Sequence, residues 1–241
     1  DETPAKEVTV YVTISNDGVP IRGRDGTVLC HKAITVPYFD LGRYNLADYY
    51  RYHTENGEGK YIDTNIVERP TGLHLYLYLL ERYFIGLPEE QCCKGAYPRD
   101  ALASFKLGED VCYMDETPAY TADSFAALTM TGSPTSLYMT NFWGHDENLM
   151  YYRNHCFPYM SPGWGSTSDY IVLSDGDTWD VAMFSNWSFY SSGGAFTCFD
   201  KDEYNARPGM EMTVNTQAYG TTFEGSDFYP FSNLDVFLYN D

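Results

Sequence analysis

The sequence predicts an α+β, β-rich fold in which a mixed or antiparallel sheet carries one main helix, about 71–85, packed across it. Three observations lead there. Val8 to Ser15 alternate β-branched apolar and polar side chains, as a half-buried strand does. Leu73, Leu77, Leu80 and Phe84 recur at helical spacing, and short aromatic and β-branched runs separated by turn residues fill Ser136 to Phe199.

In chain order, the polar opening Asp1 to Glu7 reads as a linker or a trimmed export product, without a signal-peptide pattern. Asn16-Asp17-Gly18 supplies the turn after the first strand. A second strand is expected from Thr27 to Val36, stopped by Pro37. Tyr38 to Tyr52 reads as a loop or short helix, and Asn56-Gly57-Glu58-Gly59 as a flexible turn. The helix starts at Thr71 as N-cap and stops at Gly86 and Pro88. Residues 87–135 carry adjacent cysteines, prolines and scattered acids, the pattern of a long irregular insertion.

Strands are then expected at Ser136 to Trp143, Leu149 to Tyr152, Tyr170 to Leu173 and Trp179 to Phe184, with further strand-like sequence from Trp187 to Phe199. Asp175-Gly176-Asp177 reads as a hairpin turn before Trp179. Met210 to Tyr219 and Leu234 to Tyr239 are the last strand candidates. Residues 1–205 are read as one domain, with 206–241 a strand extension or the start of a following β-repeat, since a piece that short does not make a domain.

Fifteen Lys and Arg against 34 Asp and Glu give a net charge of −19, a field that repels nucleic acid and anionic lipid surfaces. No run approaches the ~20 apolar residues of a membrane span. Aromatic residues make up 17% of the chain, which separates it from acidic disordered sequences. Six cysteines leave their pairing open, with Cys92 or Cys93 to Cys112 the local candidate because a short loop would close.

Candidate chemistry concentrates in Phe142-Trp143-Gly144-His145-Asp146-Glu147, the Tyr151 to Cys156 run and Gly163-Trp164-Gly165. His145 and His155 lie ten apart, unlike the i, i+4 histidines of a zinc-peptidase helix, so no metal is assigned. Cys156 beside His155 does not make a nucleophile pair, because strand neighbours face opposite ways. Ser166 lacks the nucleophile-elbow pattern, and Asp175, Asp177 and Asp180 fall short of a calcium loop. No catalytic residue and no cofactor are therefore expected. Exposed aromatic faces do stack on ligands, so Trp143, Tyr152, Trp164 and Trp187 form a candidate binding surface, and the aromatic-histidine stretch from Trp143 to Trp164, with His145 and His155, is the candidate ligand-binding region.

Several of these pieces occur in a familiar order. They are the Val8 to Ile14 strand, Ile34-Thr35-Val36-Pro37, the Leu73 to Tyr83 helix, Phe142-Trp143 with Met150 to Asn154, and Leu173-Ser174-Asp175-Gly176-Asp177 before a strand. The order resembles a domain of unknown function of bacterial surface proteins that is similar to the C-terminal β-domain of transcobalamin and intrinsic factor. The resemblance implies a transcobalamin C-terminal-like fold with ligand-facing groups around Trp143, Tyr151, Tyr152 and Trp164. Two departures stand out: Arg153-Asn154-His155 replaces a small Asn-Gly turn, and residues 87–135 are an addition.

The resulting expectation is a non-catalytic extracellular module of a bacterial cell-surface or secreted protein. Its partner would be a small molecule, glycan, corrinoid-like ligand or protein, with no nucleic acid and no direct membrane insertion. The alternative is a structural spacer in a longer wall-anchored protein.

Overall fold

The computed structural model describes residues 6–44, 46–57, 62–95, 128–133, 136–144, 148–156, 159–161, 164–165, 168–186, 195–219 and 228–236. Its elements are β1 (Glu7–Asn16), β2 (Val19–Pro20), β3 (Lys32–Pro37), α1 (Tyr49–Glu55), α2 (Gly72–Leu79), β4 (Leu128–Ser133), β5 (Ser136–Phe142), β6 (Leu149–Arg153), β7 (Tyr159–Ser161), β8 (Trp164–Gly165), β9 (Thr178–Met183), β10 (Phe196–Phe199), β11 (Thr216–Tyr219) and β12 (Tyr229–Pro230). The chain is mixed α/β and sheet-rich. Among the described residues no helix is long and apolar enough to cross a membrane.

The main sheet is mixed. β1 pairs antiparallel with β3 and β2 on one side and parallel with β9 on the other, and β6 closes the far edge antiparallel to β9. Strand alternation fixes what each face carries. Val8, Val10, Val12 and Ile14 of β1 share one face with Ile34, Val36, Trp179, Val181 and Met183, and all are buried. Thr13, Asp180 and Tyr152 sit side by side in register on the opposite face.

Across the first face lies α2, in which all eight residues are buried, so the predicted stripe has become a helix covered on every side. Thr71 caps it as expected, through a capping box whose third-position partner is His74 rather than Glu. The predicted strand Tyr170 to Leu173 forms no ladder of its own. The backbone around it instead accepts from the start of the helix: Gly72 N–H donates to the Ile171 carbonyl and Leu73 N–H to that of Ser168. Beyond Leu79 the helix widens into a π turn, Leu80–Ile85, ended by Gly86 at φ 87°.

Other expectations shift for local reasons. The second strand begins at Lys32, not Thr27: Thr27 and Leu29 are hydrogen-bonded back to Gly23 and Ile21, and His31 takes positive φ just before the ladder starts. Among the described residues Met210 to Asn215 has no ladder partner and only Thr216–Tyr219 of that run is strand, while Leu234 to Val236 is exposed and irregular. Phe237 to Tyr239, Trp187 to Gly194 and much of 87–135 lie outside the described residues. β10, β11 and β12 form a small antiparallel sheet with Tyr219 and Phe196 against Tyr152, on the face away from α2. Among the described residues no two cysteines are bridged, and Cys112 is not among those residues.

Candidate functional site

Of the residues singled out from the sequence, the four that are described divide between the two faces of the main sheet. Trp143, at φ 54°, packs edge-on against Phe84 of the π turn with ring centroids 5.3 Å apart. Tyr151 stacks within 7° of parallel on Trp179, on the α2 side of the sheet. Tyr152, its strand neighbour, points the other way and is fully buried beneath Phe196 and Tyr219, so it offers no exposed face. His155 lies on Tyr152's side. His145 and the Trp164 side chain fall outside the described residues.

The turn carrying His155 is a tight one. Arg153 and Cys156 exchange both backbone hydrogen bonds, at 3.1 and 2.9 Å, and the two residues between them, Asn154 and His155, have φ of 52° and 58°. An Asn-Gly pair suits such a turn without strain, and a histidine there needs support from its surroundings. Asn154 gains it by donating from Nδ2 to Asp177 at 3.0 Å and accepting from Thr178 N–H at 2.9 Å. The His155 ring is held edge-on by Tyr219, 5.4 Å between centroids.

Asp175, Gly176 and Asp177 build a turn that locks β9 to β1 in parallel rather than making a hairpin. Asp175 accepts from Thr9 N–H at 2.7 Å, and Gly176 N–H donates to the Thr9 carbonyl. Asp177 takes Arg153 Nε at 2.8 Å and Ser174 N–H at 2.9 Å. These carboxylates serve separate backbone and side-chain partners, which removes the geometric basis for a calcium loop. Among the described residues no three His, Cys, Asp or Glu side chains gather as metal ligands.

The second face of the main sheet and the β10–β12 sheet enclose a cleft of about 1070 Å³. Its walls include six aromatic rings, Phe184, Phe196, Phe199, Tyr204, Tyr219 and Phe231. Four aspartates, Asp17, Asp180, Asp202 and Asp235, line it against a single lysine, Lys201. Thr13, Cys30, His31, His155 and Cys198 add to the polar part.

Asp180 is the deepest acid. Its side chain is 18% exposed and its Oδ2 lies 3.4 Å from His155 Nε2, without a hydrogen-bond partner among the described residues. Burial pushes its pKa up to about 7, with the Asp202 charge adding to the effect and the Thr13 hydroxyl opposing it. Burial also lowers the His155 pKa, so both groups are driven toward their neutral forms and the contact is not a firm ion pair. Burial raises the Cys198 thiol to about 11, which keeps it protonated and poorly nucleophilic at neutral pH. The cleft therefore offers apolar walls, a buried carboxyl and inert polar groups, a composition suited to holding a ligand in place.

Of this cleft, sequence reasoning reached only His155 as a binding residue, and considered Asp180 solely as a calcium ligand. A usable signal was present in Trp179-Asp180-Val181-Ala182-Met183, where an acid and a small residue alternate with large apolar ones. Comparison with protein-family models, curated proteins and solved structures yields no match to the chain.

Proposed function

We propose that the chain is a non-catalytic binding module of an exported bacterial protein, and that its ligand occupies the cleft between the two sheets. The observation that carries this reading is the cleft itself: about 1070 Å³, aromatic on several sides, with a few polar groups to fix orientation. Ligand sites commonly run from about 300 to 1,000 Å³ with such a lining. A cavity lined by a mostly buried acid, Asp180, together with six aromatic rings favours a compact amphipathic molecule over an extended chain lying on the surface.

A transcobalamin C-terminal-like fold belongs to this proposal. In its favour are the buried helix across a mixed sheet and the tight turn after the Tyr151-Tyr152 strand. Glycans and corrinoids remain among the candidate ligands on that account. The binding locus proposed differs from the surface expected around Trp143 and Trp164, because Trp143 and Tyr151 pack on the α2 side.

Thermal-shift screening against glycans, corrinoids and small amphipathic molecules tests the proposal, followed by the same screen on Thr197→Trp. Thr197 is exposed on β10 and lines the cleft, so tryptophan fills space without disturbing the core. A compound that raises the melting temperature of the wild type and not of Thr197→Trp supports the reading. Equal shifts in both proteins, or none from any compound, would sink it and leave the spacer role in its place.

A further inference from the structure

We infer that the cleft recognises an organic cation, an alkylammonium group carried on an apolar body, with Asp180 as the counter-charge. This rests on the cleft being the ligand site. Three features of the wall point the same way. Its aspartates outnumber its lysine four to one in a chain of net charge −19, so the local field attracts cations. Six aromatic rings line it, and an ammonium binds over the face of such a ring within about 6 Å. And the chain already places one of its own ammonium groups this way: Lys201 Nζ lies 5.7 Å from the centroid of Tyr204, both of them on the cleft wall.

Asp180 gives this field a focus. It occupies the middle of β9, between Thr13 of β1 and Tyr152 of β6, so the sheet holds its backbone on both sides. Its Oδ2 makes no hydrogen bond among the described residues, and a buried carboxylate oxygen without a donor is costly unless a cation or proton meets it. His155 is 3.4 Å away but is driven toward its neutral form by burial, so it does not cancel the carboxylate's charge, which acts on a positively charged guest across the cleft although Oδ2 itself is closed to solvent.

The protonation of Asp180 then gates recognition. With its pKa at about 7, the group ionises as pH rises through neutrality, so cation binding strengthens from roughly pH 6 to pH 8. The other titratable or charged groups facing the same space are His155 from the turn after β6, His31 and Cys30 from the segment before β3, Asp17 from the turn after β1, Cys198, Lys201, Asp202 and Tyr204 in and after β10, Tyr219 of β11, and Asp235 beyond β12. Replacing Asp180 removes its contribution alone and leaves theirs in place.

Calorimetric titration with choline and benzyltrimethylammonium, beside the uncharged tert-butyl isostere of choline, tests the inference. The cations are expected to bind the wild type, and the isostere to bind roughly tenfold more weakly than choline. Asp180→Asn should cut cation affinity by about tenfold or more, leave the isostere unaffected and flatten the pH profile. Lys201→Gln, an exposed position that does not threaten folding, should tighten cation binding by removing a competing ammonium. Equal binding of choline and its isostere, unchanged cation affinity in both variants, or no cation binding at all would overturn the assignment. The cleft reading stands or falls on the Thr197→Trp screen, so the failure of one idea is distinguishable from the failure of the other.

Discussion

His74 is fully buried and Asp180 mostly so, and their separate effects on stability run in opposite directions with pH. His74 accepts the Thr71 N–H at Nδ1 and therefore donates from Nε2 to the Phe39 carbonyl at 3.0 Å, which defines a neutral tautomer. Burial lowers its pKa to about 4. An unfolded histidine takes its proton below about pH 6.5, so between there and about pH 4 the unfolded chain binds more protons and stability falls as pH falls. Asp180 has the opposite sign: folded, it keeps a proton up to about pH 7, whereas unfolded it loses it near about 3.9, so stability falls as pH rises across that window. The two slopes largely cancel from about pH 4 to about pH 6.5. Asp180→Asn removes one of them, and urea unfolding should then show a loss of roughly 3 kcal/mol on going from about pH 7 to about pH 4 relative to the wild type. A parallel pH dependence in the two proteins would show that Asp180 is ionised when folded. In the sequence His74 is a polar position inside an apolar run, and Asp180 invites only comparison with a calcium loop. Their burial depends on what covers each face, and that cover comes from segments far along the chain.

At the scale of the element, the helix was legible and its companions less so. Thr71, the leucine spacing and Gly86 marked its ends because capping and periodicity are local physics. The π turn was not marked: it is tied to tertiary contacts, since Glu81 in that turn accepts from Tyr44 Oη at 2.7 Å and from Cys93 N–H at 2.6 Å. The Tyr170 to Leu173 run illustrates the limit again, being strand-like in composition while its Ile171 carbonyl caps α2. Close approach of helix and sheet is concentrated at Gly72, where an added Cβ would stand 2.5 Å from Cη2 of Trp179. Alanine favours a helix interior over glycine by about 1 kcal/mol and the first helical position by less, so the intrinsic preference argues weakly for stabilisation. Overpacking costs about 1 to 3 kcal/mol, and Trp179 has no room to retreat, being fully buried with Nε1 donating to Tyr76 Oη. Gly72→Ala is expected to lower the urea midpoint at unchanged m-value. A raised midpoint would mean that the ring shifts aside at little cost.

On the scale of the whole molecule, two layers sit on opposite faces of one sheet. α2 covers one, and the β10–β12 sheet covers part of the other through Tyr152, Phe196 and Tyr219, with ring centroids 4.8 to 6.0 Å apart. Tyr219→Ala should cost roughly 3 kcal/mol and speed amide exchange in β10 and β11 more than in β1 or β9. Equal acceleration in all four strands would instead mean that the layers unfold together. Alternation in β1 foretold that one of its faces is buried. It carried no information on strand order, because a period-two pattern is the same whichever strand lies alongside.

That strand order has a consequence during synthesis. Thr9 and Asp175 are hydrogen-bonded across 166 residues, and β1 has its parallel partner only once Thr178–Met183 has been made. At roughly 5 to 20 residues per second, the valine-rich first strand waits on the order of ten seconds or more with just β3 and β2 to pair with. Contacts this distant slow folding, and an unpaired alternating strand is a template for association with other chains. The nascent chain is therefore most in need of a chaperone, or of being held extended, at β1.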